Sequence, residues 1–233
     1  MIAPLPSDEE ARLAALRRYH LLDTDDEEVY DNITRLAAHL CGTSISLMSL
    51  LDADRQWLKS RVGTDMREAP RDESFCAHAI LERGVTIAED TAADVRFADN
   101  PFVTGAEAVR FYAGAPLVTP DGHVLGTLCV LDRRPRPLTP EQQETLLALS
   151  RHVVCQVEMR RAVAGQAFVL SSLERARRGA TGTGADEYQA MRARAGVYVY
   201  ETVPDRAYLS TEQALSRFLG EATPDEAVGL TDI

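Results

Sequence analysis

Over residues 7–20 apolar positions recur at helical spacing. Ser7 stands ahead of Asp8, Glu9 and Glu10 in a capping-box arrangement, and Leu13, Leu16 and Tyr19 mark one face. Leu21-Leu22-Asp23-Thr24 reads as a turn. A second helix is predicted over 25–41, with Val29, Ile33, Leu36, Ala37 and Leu40 on its apolar face and Gly42 as its stop. The period then changes to two. Ile45, Leu47 and Ser49 alternate with Met48 and Leu50, which predicts a strand over 44–51. Asp52-Ala53-Asp54-Arg55 turns the chain into a returning strand over 56–62. A short helix is expected over 74–81 and a short strand over 85–88. Residues 89–108 are a polar connection, long for a compact domain and therefore of functional interest. Two further strands, 110–118 and 123–131, are joined through Asp121-Gly122, a hairpin signal. A long helix is predicted over 139–178, N-capped by Thr139 and striped by Leu146, Leu149, Val153, Val157, Ala164 and Phe168. The element order predicts an α+β fold, an antiparallel sheet with helices gathered on one side.

Composition narrows the function classes. The chain carries a net charge of −11, concentrated at its ends: residues 1–30 and 179–233 hold −5 each, while 139–178 is slightly basic. No segment has the dense positive face that nucleic acid requires, and an acidic surface repels anionic membranes. No run of about 18 apolar residues is present, and the N-terminus lacks the basic start and apolar core of a signal peptide. Cys41, Cys76, Cys129 and Cys155 show no paired spacing, so a reduced, cytoplasmic protein is expected.

Seven stretches resemble the GAF domain of bacterial signal-transduction proteins, over about residues 8–165. They are Leu21-Leu22-Asp23-Thr24, Ile45-Ser46-Leu47-Met48-Ser49-Leu50-Leu51-Asp52, Arg55-Gln56-Trp57-Leu58-Lys59-Ser60, Ser74-Phe75-Cys76-Ala77-His78-Ala79-Ile80, Arg96-Phe97-Ala98-Asp99-Asn100-Pro101, Arg110-Phe111-Tyr112-Ala113-Gly114-Ala115-Pro116-Leu117 and Leu125-Gly126-Thr127-Leu128-Cys129-Val130-Leu131-Asp132. The resemblance implies a central antiparallel sheet with a dimerising helical layer on one face and a ligand pocket on the other. It divides the chain into a GAF-like sensor domain over 1–165, a helical extension and Gly/Thr linker over 166–184, and a tail over 185–233. The tail is similar to the start of a PAS domain, or else is a hairpin and helix without further role. The implied function is a regulatory sensor, responding to a small molecule or to redox state. It would pair as a homodimer through helix 139–178 and signal to a downstream output domain or histidine kinase, with no nucleic-acid or membrane partner.

The candidate pocket residues are Trp57, Phe75, Cys76, His78, Phe97, Asn100, Phe102, Arg110 and Tyr112. Aromatic walls with Arg and Asn suit a small planar or anionic ligand. Cys76 and His78 present a thiol and an imidazole two residues apart. A metal or haem ligand pair, a redox-sensing thiol and a pocket-lining role are all open to them, and the last is favoured because no second pair stands at zinc-ligand spacing. His152 and Cys155 share a helix face and read as packing residues. No phosphate-binding loop, His-Glu-x-x-His or nucleophile elbow is present, nor the bilin-attachment or cyclic-nucleotide signatures of other GAF groups. No particular cofactor follows. A thiol-dependent reductase using Cys76 and Cys129, and a ligand-free interaction scaffold, are the alternative functions.

Overall fold

A computed structural model of the chain describes residues 2–179, with side chains to residue 166. Two units are distinguished by backbone contacts, Met1–Met159 and Arg160–Ile233. Of the second, only the end of one helix lies among the described residues. The PAS-like strands, the linker and the tail expected beyond residue 179 fall outside them.

The first unit opens with helices α1 (Glu9–Arg18) and α2 (Glu28–Cys41), followed by strands β1 (Ile45–Leu51), β2 (Arg55–Val62) and β3 (Glu68–Pro70). A 3₁₀ turn (Arg71–Glu73) leads into helix α3 (Phe75–Ala79), strand β4 (Thr86–Ala88) and helix α4 (Pro101–Thr104). Strands β5 (Phe111–Val118) and β6 (Val124–Asp132) precede helix α5 (Pro140–Gly179). The strands form one sheet in the order β3-β2-β1-β6-β5-β4, every neighbouring pair antiparallel.

The pleat sorts side chains into two cores. Met48, Leu50, Trp57, Phe111, Ala113, Leu128 and Val130 face the layer of α1, α2 and α5. Ile45, Leu47, Leu58, Tyr112, Cys129 and Leu131 face α3 and the segment around α4. In the β1–β2 register Met48 opposes Ser60 and Ser49 opposes Leu58, so Lys59 is an inserted bulge residue. The bulge aims two successive polar side chains at the helical layer. The fully buried Lys59 amine bonds to Thr24 Oγ1 and Glu27 Oε1, each at 2.7 Å, and lies 5.5 Å from the centre of the Tyr30 ring. Ser60 donates to Asp31 at 2.6 Å. The turn at Leu21–Thr24 and the start of α2 are thereby fixed to the sheet.

Three expectations are corrected. Ser7 does not cap α1. Asp8 occupies the N-cap without a side-chain bond, and Glu9 turns to Arg12 and Arg71. A reciprocal capping box does form at α5, where Gln142 N donates to Thr139 Oγ1 and Thr139 N donates to Gln142 Oε1. The buried face of α2 is rotated from the expected one. Tyr30, Ile33, Thr34, Ala37 and Cys41 are buried, whereas Val29, Leu36 and Leu40 are 38%, 44% and 44% exposed. Gly42 does close α2, in the left-handed region at φ 65°. The freed carbonyls at that end accept from Arg136 and Gln142 at the approach to α5. Finally, the connection 89–108 is built rather than loose, since α4 lies within it.

Candidate functional site

The segment carrying Cys76 is positioned from both sides. Ser74 N-caps α3, accepting from Cys76 N at 3.1 Å, and its hydroxyl donates to Gln56 Oε1 on β2. Asn100 performs two tasks. Its oxygen caps α4 through Phe102 N at 2.8 Å, and its Nδ2 donates to Glu73 O at 2.8 Å. The polar connection is thus tied to the residues immediately ahead of α3. Thr91 pins its other part to β5, with Oγ1 donating to Val109 O and N to Arg110 O.

A cavity of about 60 Å³ lies on the α3 side of the sheet. Phe75, Cys76, Phe102 and Tyr112 contribute from the predicted site residues. Phe75 stacks on Tyr112 with ring centroids 5.3 Å apart and packs 6.4 Å from Phe102. Ile45, Leu47, Met66, Val109, Cys129 and Leu131 add apolar wall, and Gln56, Thr64 and Ser74 add neutral polar groups. Among the described residues, no Lys, Arg or His lines the cavity. Its ionisable carboxylates are Glu73 and Glu107, the latter paired with Arg133 at 3.1 Å.

The other five predicted residues stand elsewhere. Trp57 faces the helical layer, because its parity along β2 is opposite to that of Leu58. Phe97 is fully buried behind the wall, edge-on to Phe75 at 5.0 Å and Tyr112 at 6.0 Å. His78 meets Phe97 edge-on at 5.1 Å and is not among the residues that line the cavity. Asn100 is the clamp described above. Arg110 forms a two-pronged bond with Asp90 at 2.9 and 2.8 Å, partly exposed.

The structure brings together a pair that sequence spacing kept apart. Cys76 Sγ and Cys129 Sγ lie 3.7 Å apart, both buried and both lining the cavity. The Tyr112 hydroxyl donates to Cys76 Sγ at 3.5 Å. Burial opposes ionisation of both thiols. At Cys76, the polar groups around the sulfur, those of Cys129, Thr127, Tyr112 and Ser49, outweigh it and lower the pKa to about 6. Burial and the neighbouring sulfur push the Cys129 thiol well above its ordinary value. Burial likewise raises the Tyr112 phenol, so it stays a donor. Among the described residues, no cluster of three or more His, Cys, Asp or Glu side chains is placed to hold a metal ion, and no helix is long and apolar enough to cross a membrane.

Residues 25–157 match the family model described as the GAF domain. The chain belongs to the GAF family. It is 44% identical over 155 residues to a cyclic di-GMP phosphodiesterase of Pseudomonas aeruginosa, a match covering 66% of this chain and 26% of the relative. This chain therefore spans about a quarter of that protein. Among solved structures, the GAF domain of the Acinetobacter phosphoenolpyruvate-protein phosphotransferase is 16% identical, with a TM-score of 0.49, over 66% of this chain and 97% of the other. A type II free methionine-R-sulfoxide reductase from Thermoplasma acidophilum is 12% identical, with a TM-score of 0.48, over 57% and 92%. In this GAF domain the sheet carries the helical layer on one face and the cavity on the other.

Proposed function

We propose that this GAF domain is a non-catalytic regulatory sensor, in which a small, mainly apolar, neutral or cationic molecule takes the cavity beside α3. The observation that carries this reading is the lining, which is apolar and aromatic, holds carboxylates, and has no cationic side chain. The aromatic residues with Arg110 and Asn100 suit a small planar or anionic ligand, but the Arg110 guanidinium is engaged by Asp90 and neither Arg110 nor Asn100 lines the cavity. Occupancy biases the packing of α5 against the helical layer, and α5 carries the bias to an output domain. This requires the ligand to bind two arrangements of α5 with different affinity. The chain works as a cytoplasmic homodimer through its helical layer and helix 139–178; in the first unit Leu36, Leu40 and Met159 are exposed. The 44% identity to a cyclic di-GMP phosphodiesterase supports an output of that kind, with a histidine kinase as the other candidate.

Native mass spectrometry and thermal shift of the full chain test the ligand. A neutral or cationic compound is expected to raise Tm, and Phe102→Ala to abolish the shift. A shift produced by anions alone, or by nothing in a broad library, overturns the reading. Light scattering tests the dimer: Leu36→Glu with Leu40→Glu is expected to give a folded monomer, and a wild-type monomer at high concentration removes that part.

The sulfur pair favours a second reading, a thiol-dependent reductase using Cys76 and Cys129. Catalytic turnover of methionine sulfoxide with an added thiol reductant tests it, and full turnover by Cys76→Ser sinks it.

A further inference from the structure

We infer that Cys76 and Cys129 form a hydroperoxide-reactive dithiol, closing to a reversible disulfide in the floor of the cavity. The inference stands on sulfur geometry and is independent of whether a ligand occupies the cavity or methionine sulfoxide is turned over. The two sulfurs are 3.7 Å apart in the reduced protein. A disulfide requires about 2.05 Å, so a modest approach of α3 to β6 suffices. The remaining cysteines are differently placed: Cys41 is buried in the helical-layer core, and Cys155 is exposed on α5.

The surroundings favour charge on one sulfur. Ser49 and Thr127 are register partners across β1 and β6, next to the Leu47–Cys129 pair. Their hydroxyls are buried and make no regular hydrogen bond. Both favour the ionised form of Cys76, as does the Tyr112 hydroxyl. A thiolate is a far better acceptor than a thiol, so ionisation of Cys76 gives these buried donors a partner. The Tyr112 hydroxyl donates to Cys76 Sγ at 3.5 Å and favours its thiolate, so Cys76 is the nucleophile, and Cys129, held protonated by burial, is the resolving thiol. Both are buried but line the cavity, which is the route the structure offers to a small oxidant.

The chemistry balances with a hydroperoxide, ROOH, as the oxidant. The Cys76 sulfur attacks the terminal peroxide oxygen and the O–O bond breaks. ROH leaves with the proton given up by the Cys76 thiol, and Cys76 becomes a sulfenic acid. The Cys129 sulfur then attacks Cys76 Sγ, the S–O bond breaks, and water leaves with the Cys129 proton. Two thiols lose two electrons, and one peroxide becomes ROH and water. The apolar wall admits small organic hydroperoxides as well as hydrogen peroxide.

Peptide mapping of the full chain tests this. Trypsin places Cys76 in peptide 72–83, Cys129 in 111–133, Cys41 in 36–55 and Cys155 in 152–160. After stoichiometric hydrogen peroxide or tert-butyl hydroperoxide, alkylation and digestion, peptides 72–83 and 111–133 are expected cross-linked, two hydrogens lighter, and separable by dithiothreitol. Cys129→Ala is expected to leave a sulfenic acid on Cys76 that dimedone captures. Cys76→Ser is expected to leave Cys129 unoxidised. Tyr112→Phe is expected to move the pH midpoint of the oxidation rate upward, which a merely structural contact does not do. Recovery of both peptides fully alkylated, or consumption of peroxide by Cys155 first, overturns the inference. The wild-type map decides the matter even where a cysteine variant fails to fold.

Discussion

A β-carbon placed on Gly114 would lie 2.1 Å from the hydroxyl oxygen of Tyr112. The two residues stand two apart on β5, so their side-chain positions share a face of the sheet. The Tyr112 ring leans along the strand over the bare α-carbon of Gly114, and its hydroxyl thereby reaches Cys76 Sγ. A missing side chain on one residue thus places the phenol of the other.

Gly114→Ala is therefore expected to displace the phenol. The overpacking costs about 1–3 kcal/mol in urea unfolding. Loss of the hydrogen bond also moves the Cys76 pKa up from about 6. The readout is the rate of iodoacetamide labelling of Cys76 against pH, whose midpoint rises. Tyr112→Phe gives the same direction with less loss of stability. An unchanged midpoint in both variants sinks the assignment.

Glu9 gives the acid limb of stability. Burial opposes its ionisation, but the Arg12 and Arg71 guanidiniums outweigh that and lower its pKa to about 2 from 4.5. A depressed folded-state pKa means that the stabilisation is complete above pH 4.5 and is lost as pH falls from there toward 2. Glu9→Gln is expected to cost about 2 kcal/mol at pH 7, typical of a hydrogen-bonded charge. The difference from wild type should shrink across that window and nearly vanish at its acid end. Urea titrations at several pH values check this, and a pH-independent difference contradicts it.

Lys59 is the single lysine of the chain and is fully buried. Lys59→Met is expected to destabilise by about 2–3 kcal/mol, because Thr24 Oγ1 and the Asp25 carbonyl lose their donor. In the native wild type, an amine-directed acetylating reagent is expected to modify the N-terminus and to spare Lys59 until denaturant is added. Rapid native labelling of Lys59 rejects the buried assignment.

Asn100→Ala removes both the α4 cap and the bond to Glu73 O, at an expected cost of about 1–2 kcal/mol. Asn100→Asp keeps the capping oxygen and loses the donor, so it should fall between the two. Hydrogen exchange at residues 102–105 separates them: the Ala variant exchanges fastest. Equal exchange in all three proteins refutes the double role.

β1, β2, β5 and β6 were legible because each runs for seven to nine residues up to or away from a turn signal, Asp52-Ala53-Asp54 or Asp121-Gly122, and β1 also alternates. β3 and α4, of three and four residues, were missed because they lie in polar stretches, whereas the equally short β4 was read from Val85-Thr86-Ile87 after Gly84. On α2 Ile33 and Ala37 are buried as expected, but the buried face turns toward Tyr30 and Cys41, and Val29, Leu36 and Leu40, as apolar as the residues the fold buries, are partly exposed. Site residues divide on similar grounds. Phe75, Cys76, Phe102 and Tyr112 converge on the cavity, but strand parity turned Trp57 to the opposite face. Arg110 found its acid twenty residues upstream, in Asp90. The Cys76–Cys129 contact joins residues 53 apart on a short helix and a central strand, a proximity that only the closed sheet creates.

The Glu9 contacts also bear on where this domain begins. The family match starts at residue 25, yet Glu9 holds Arg71, the residue that leads into the Cys76 segment, and Arg71 in turn grips the carbonyls of Asp52 and Ala53. Ala15, Leu16, Tyr19 and Leu21, also ahead of the match, are core residues. A chain trimmed to 25–157 would leave Arg71 enclosed without its carboxylate and the helical-layer core uncovered. The unit that folds is longer than the unit that is recognised: its first two dozen residues complete the helical-layer core, and Glu9, through Arg71, braces the segment that carries Cys76.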